Sequence, residues 1–85
     1  MTEAEAVSLK EAARRVRLSV DTIRRLNAKH GIGRQMGPRS PIEVSMPAVV
    51  MLRHGDLEAL ELLRLGRRQE PAVRRYLELA GSVQG

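Results

Sequence analysis

Two serines, Ser8 and Ser19, each stand directly before a run of apolar residues at helical spacing, and only eleven positions separate them. Leu9, Ala12, Ala13 and Val16 follow the first, and Val20, Ile23, Leu26 and Asn27 follow the second. Either set lines one face of a helix. A serine hydroxyl just outside a helix accepts a hydrogen bond from an amide of the first turn, so each serine predicts a helix start. Glu11, three residues beyond Ser8, adds the signature of a capping box. The spacing predicts a first helix over about residues 9–16 and a second that opens at Val20 and closes at Gly31. Only "RLS" joins them, so the two helices fold back on each other as a tight helix-turn-helix unit. Ala12 and Ala13 permit the close approach, and Leu18 supplies an apolar plug for the turn.

The rest of the chain has to complete a core with little material. Among 85 residues the only aromatic side chain is Tyr76, so the interior depends on Leu, Val, Ile, Ala and Met. Burying one Leu or Val contributes only ~1.5–3 kcal/mol, which makes self-association that hides more apolar surface an expectation. Residues 31–47 hold three Gly and three Pro with short apolar stretches between them. They predict a two-stranded hairpin, Ile32–Met36 and Ile42–Val44, with an irregular loop as the competing reading. Ser45 caps "MPAVVML", Asp56 caps "LEALELLRL" up to Gly66, and Pro71 opens a last helix that Gly81 stops. The expected fold is mainly α, a single domain with a small hairpin and additional C-terminal helices.

Charge is distributed unevenly. Over residues 14–39 eight basic side chains stand against Asp21 alone, whereas residues 40–85 carry six Arg and six acids. Such concentration is the electrostatic footprint of a polyanion partner, against the alternative of a solvated basic face. With Val20, Ile23 and Leu26 turned inward, Thr22, Arg25 and Lys29 form a line on the outer face of the second helix. Arg and Lys pair with phosphates, and Arg also engages guanine edges in the major groove. Arg14 and Arg15 on the first helix suit phosphates.

"SLKEAARRVRLSVDTIRRL" resembles the helix-turn-helix of the excisionase and mercury-resistance-regulator-like winged-helix proteins. The resemblance rests on Glu11-Ala12-Ala13, Leu18-Ser19 and Thr22-Ile23-Arg24-Arg25, and covers roughly residues 7–52. It implies that the second helix enters the major groove of double-stranded DNA through Ser19, Thr22, Arg24 and Arg25. The hairpin then acts as a wing, with Arg34, Gln35 and Arg39 as its contacts. It further implies an excisionase or transcription regulator of a phage or mobile element, with an integrase or another such protein as partner. One position departs from the pattern: Arg17 stands in the turn where glycine is usual. The DNA-recognition subunit of a phage packaging terminase resembles this arrangement too. A protein-interaction scaffold is the alternative from another class.

Other chemistry finds little footing. His30 and His54 have no ligand-spaced partners, the chain has no Cys, and "GIGRQMG" lacks the ending of a phosphate loop. No enzyme, cofactor or metal is expected. No apolar run reaches the ~18–20 residues of a membrane span. The acidic opening "MTEAEAVSLKE" has no signal-peptide pattern, so a cytoplasmic protein is expected. The region 53–85, with Leu57, Leu60, Leu63, Leu65, Val73 and Leu77, either finishes the monomer core or forms a homo-oligomer interface; the second is the expectation.

Overall fold

A computed structural model describes residues 3–82 of the chain. A 3-10 turn at Glu3–Glu5 leads into β1 (Ala6–Ser8), followed by α1 (Leu9–Val16) and α2 (Val20–His30). The hairpin strands β2 (Gly33–Gln35) and β3 (Ile42–Ser45) come next. Three helices complete the order: α3 (Met46–Arg53), α4 (Leu57–Arg64) and α5 (Pro71–Ser82).

All four predicted caps form. The hydroxyls of Ser8, Ser19 and Ser45 accept from the amides of Glu11, Thr22 and Ala48, and the Asp56 carboxylate accepts from that of Ala59. At Ser8 only half of the capping box is seen, because the Glu11 carboxylate turns to Arg14 instead. The charge-assisted pair is the stronger acceptor-donor match for that carboxylate.

The sheet is antiparallel with strand order β1-β3-β2, which corrects the two-stranded expectation. Ala6 faces Ser45 and Ser8 faces Glu43 on one side of β3; Gly33 faces Val44 and Gln35 faces Ile42 on the other. Three residues are too few to show a strand period, so β1 exists only because β3 offers it a partner edge. The predicted strand Ile32–Met36 shortens at both ends to Gly33–Gln35. Ile32 is buried and its carbonyl accepts from the Ser45 amide at 2.9 Å, while Met36 belongs to the turn. Gly33 is where β2 passes closest to α2: a Cβ there would lie 2.8 Å from both the Asn27 Oδ1 and the Glu43 carbonyl oxygen. The absent side chain is what lets the hairpin base sit on α2.

The core is centred on α3. Met46, Pro47, Ala48, Val49, Val50 and Met51 are all buried, as expected of a helix apolar on every side. It touches α1, α2, α4, α5 and β3. Ala12 and Ala13 of α1 and Ile23 of α2 close the helix-turn-helix crossing against it. From the C-terminal part, Leu60, Val73, Tyr76 and Ala80 join the same cluster, so these side chains finish the monomer core. Gly81 does not stop the last helix, which continues to Ser82. No helix among the described residues is long and apolar enough to cross a membrane.

Candidate nucleic-acid interface

The turn between α1 and α2 decides how the outer face of α2 is presented. Arg17 adopts φ 59° and ψ 44°, the left-handed conformation that usually selects glycine. In that conformation the amides of Arg17 and Leu18 both donate to the Ala13 carbonyl, which ends α1 within one residue. The departure at Arg17 therefore leaves the turn tight. The chain then reaches Ser19, whose hydroxyl caps α2 and lies 2.8 Å from the Thr22 hydroxyl.

With Ile23 fully buried, the opposite face of α2 is set by the 100° step of the helix. Asp21, Arg24, Arg25, Ala28 and Lys29 are exposed, while Thr22 is half-buried at the edge. Asp21, Arg25 and Ala28 sit near the middle of this face, with Arg24 and Lys29 flanking them. Ala28 was not among the predicted contacts; its value is its smallness, which lets the helix axis come close to an opposing surface. An 11-residue helix is about 16 Å long, and with its side chains fits the ≈12 Å width of the major groove.

Ion pairing separates the predicted basic residues into two groups. Arg14 donates to the Glu11 carboxylate at 2.7 and 2.9 Å, and the Arg15 Nε lies 3.7 Å from the same carboxylate. Arg24 is held 2.9 Å from Asp21, and Arg34 faces Glu43 across the strands with its Nε 3.5 Å from that carboxylate. The Arg24–Asp21 pair is largely exposed, so it contributes little and yields easily to a phosphate, whereas the Arg15 and Arg34 pairs are half-buried. Arg25, Lys29 and Arg39 have no carboxylate partner among the described residues, and neither has Arg17. Lys10, Arg53, Arg74 and Arg75 also stand outside these ion pairs, so unpaired cations at the turn, on the outer face of α2 and in the hairpin loop are part of a wider set.

The hairpin brings Arg34, Gln35 and Arg39 to one end of the sheet, but in different states. Arg34 is half-buried against Glu43, and the Gln35 amide nitrogen donates to the carbonyls of Pro38 at 3.3 Å and Ser40 at 2.8 Å. Gln35 is thus occupied in shaping the turn. Arg39 is exposed. A further cation comes from α3: Arg53 Nε donates to the Val16 carbonyl at 3.4 Å, placing a guanidinium at the end of α1 beside Arg17. Sequence reasoning missed Arg53 because its spacing assigns it only to the last turn of its own helix; no local signal ties it to α1.

Elsewhere a shallow cavity is lined by Ile32, Ala48, Leu60 and Leu63, with Glu5 and Arg64 at its border. Glu5 and Arg68, both in its lining, form an ion pair. No group of His, Asp and Glu among the described residues could hold a metal ion. Comparison with protein families, with curated proteins and with solved structures gives no match.

Proposed function

We propose that the chain binds double-stranded DNA as a winged helix-turn-helix protein, with α2 in the major groove and the β2–β3 hairpin as the wing. The observation that carries this reading is the two-sidedness of α2. Ile23 on its inner face is sealed in the core, while Arg25 and Lys29 on its outer face, around the small Ala28, have no ion-pair partner among the described residues, the Asp21 carboxylate being held by Arg24. In this reading Arg25 reads base edges, Lys29, Arg17 and Arg39 hold phosphates, and Ser19 serves the cap first. Arg14, Arg15, Arg24 and Arg34 exchange intramolecular pairs for phosphates on binding. Thr22 touches DNA only at the edge of the groove, and no catalytic step is involved.

From the resemblance noted at residues 7–52 we further propose a cytoplasmic excisionase-like or promoter-regulating role of a phage or mobile element. An integrase gene beside the coding region supports excision, and a large terminase subunit gene supports packaging. Leu57 at the start of α4 and Leu65 just beyond its end are exposed while Leu60, Leu62, Leu63 and Leu77 pack in or against the core, which favours a homo-oligomer as the working form. Sedimentation of a Leu57→Ser, Leu65→Ser double variant measures that contribution.

The test is duplex binding by fluorescence anisotropy across a salt series. Lys29, Arg17 and Arg39, with the four arginines that give up their intramolecular pairs, engage up to about seven phosphates and predict a slope of log K against log salt approaching roughly −6. Ala28→Glu abolishes binding without lowering the melting temperature. A chain that binds no duplex at ~50 mM salt, where the phosphate contribution is strong, sinks the proposal in favour of a protein-interaction scaffold.

A further inference from the structure

We propose that the shallow cavity between the end of α2, the sheet and α4 binds a small branched aliphatic amino acid, of which leucine is the type. Its alkyl body lies on the cavity floor, its carboxylate on Arg64 and its ammonium on Glu5. None of the side chains assigned to the duplex lines this cavity, so the site stands whether or not the chain binds DNA.

The floor is made of side chains that the core already holds in place. Ile32, Ala48 and Leu60 are buried, and Leu63 packs against the same cluster. Together they form an aliphatic surface with no aromatic ring, which suits a branched alkyl group better than a flat one. The cavity holds about 210 Å³, below the ~300 Å³ at which sites for drug-sized ligands begin. That is too small to enclose a nucleotide and of the order of one amino acid.

Polar recognition falls to two side chains, because the backbone around the cavity is already paired. The Gly31 amide donates to the Asn27 carbonyl at 2.7 Å, and the Ile32 carbonyl accepts from the Ser45 amide at 2.9 Å. The Ser45 hydroxyl is taken by the Ala48 amide. Glu5 and Arg68 are paired with each other through the Glu5 Oε2. The other carboxylate oxygen, Glu5 Oε1, is buried and has no hydrogen-bond partner among the described residues. An acceptor in that state is costly, and a charged donor offsets more of the cost than a neutral one. An ammonium is such a donor. Arg64 has the complementary need. Its pair with Glu61 spans 4.0 Å between two exposed side chains, so it holds the guanidinium weakly. The planar fork is left to take a carboxylate through two parallel hydrogen bonds. A carboxylate alone leaves Glu5 unsatisfied, and an amine alone leaves Arg64 to solvent. One molecule that carries both on an aliphatic body meets the floor and the border together. It also ties the N-terminal turn, the end of α2 and α4 to one another, so occupancy stabilises the whole domain.

The experiment uses the full chain and four probes: leucine, glycine, isocaproate and isoamylamine. Isocaproate lacks the ammonium of leucine, isoamylamine its carboxylate, and glycine its alkyl body. Leucine is expected to bind saturably in calorimetry and to shift the amide resonances of Gly31, Ile32 and Gly33. At about tenfold over its dissociation constant it raises the melting temperature by about 5–10 °C. The other three probes bind about tenfold more weakly or worse. Arg64→Gln, at an exposed position, keeps the melting temperature of the free chain and binds leucine about tenfold more weakly. Leucine that fails to bind, or that binds no better than glycine, isocaproate or isoamylamine, overturns the proposal. So do leucine-induced shifts confined to amides remote from the cavity, and an Arg64→Gln chain that holds leucine as tightly as wild type.

Discussion

Arg17 holds a backbone conformation that costs a residue with a side chain roughly 1–2 kcal/mol and costs glycine nothing comparable. Glycine in its place would gain that strain energy but lose about 0.4–1 kcal/mol through the greater freedom of the unfolded chain. Arg17→Gly is therefore expected to raise the melting temperature by a few degrees at most. The same variant is expected to weaken duplex binding and to make the salt slope shallower by about 0.9. Calorimetry and anisotropy on one preparation check both directions. A variant less stable than its parent would instead assign the arginine to the packing of the turn.

At the scale of elements, the joint between α4 and α5 has its own pH response. The Ala59 amide and the Tyr76 hydroxyl, which donates at 2.9 Å, hold the Asp56 carboxyl below its ordinary 3.8. Burial and the bond to Asp56 push the Tyr76 hydroxyl above its ordinary 10.0. The Asp56 contribution to stability is complete above the ordinary carboxylate range and is lost as pH falls through the lowered value. That of Tyr76 is complete below pH 10.0 and is lost as pH rises through the raised one. Asp56→Asn keeps a capping residue, so its melting temperature should depend less on pH than wild type below about pH 4. Tyr76→Phe should flatten the alkaline limb. Helix starts such as Asp56 were legible in the sequence because a cap is a local device: one side chain and an amide three residues on. The β1 strand was not, since its three residues gain their pairing from β3, nearly forty positions away. Gly81 misled for a related reason: glycine after a periodic run often ends a helix, but nothing prevents the helical turn from continuing past buried Ala80. In the candidate interface the sequence placed Arg25 and Lys29 correctly on the outer face. It did not reveal that Arg24, Arg14 and Arg34 have acidic neighbours at hydrogen-bonding or near-contact distance, because that depends on rotamers and strand register.

For the whole molecule, the candidate interface and the core share one helix. Ile23 is fully buried where α1, α2 and α3 meet, so Ile23→Ala should cost about 2–5 kcal/mol. Total stability for a domain of this size is on the order of 4–13 kcal/mol, so the loss is a large share. Chemical denaturation should show the midpoint fall sharply, and duplex binding at 37 °C should fail with it. Substitution at Ala28, on the far side of the same helix, should leave the midpoint unchanged. Selection on the inner face of α2 is thus selection for folding, and selection on the outer face is free to follow the partner.

The sheet has one further consequence. Both of its edges, β1 and β2, are only three residues long, and the strand between them is already paired on both sides. An extended peptide would find too short a ladder to join, so recruitment by strand addition is closed to this protein, as is the edge-to-edge aggregation that longer free edges invite. Whatever assembles with it has to be met by helix faces and by the hairpin tip.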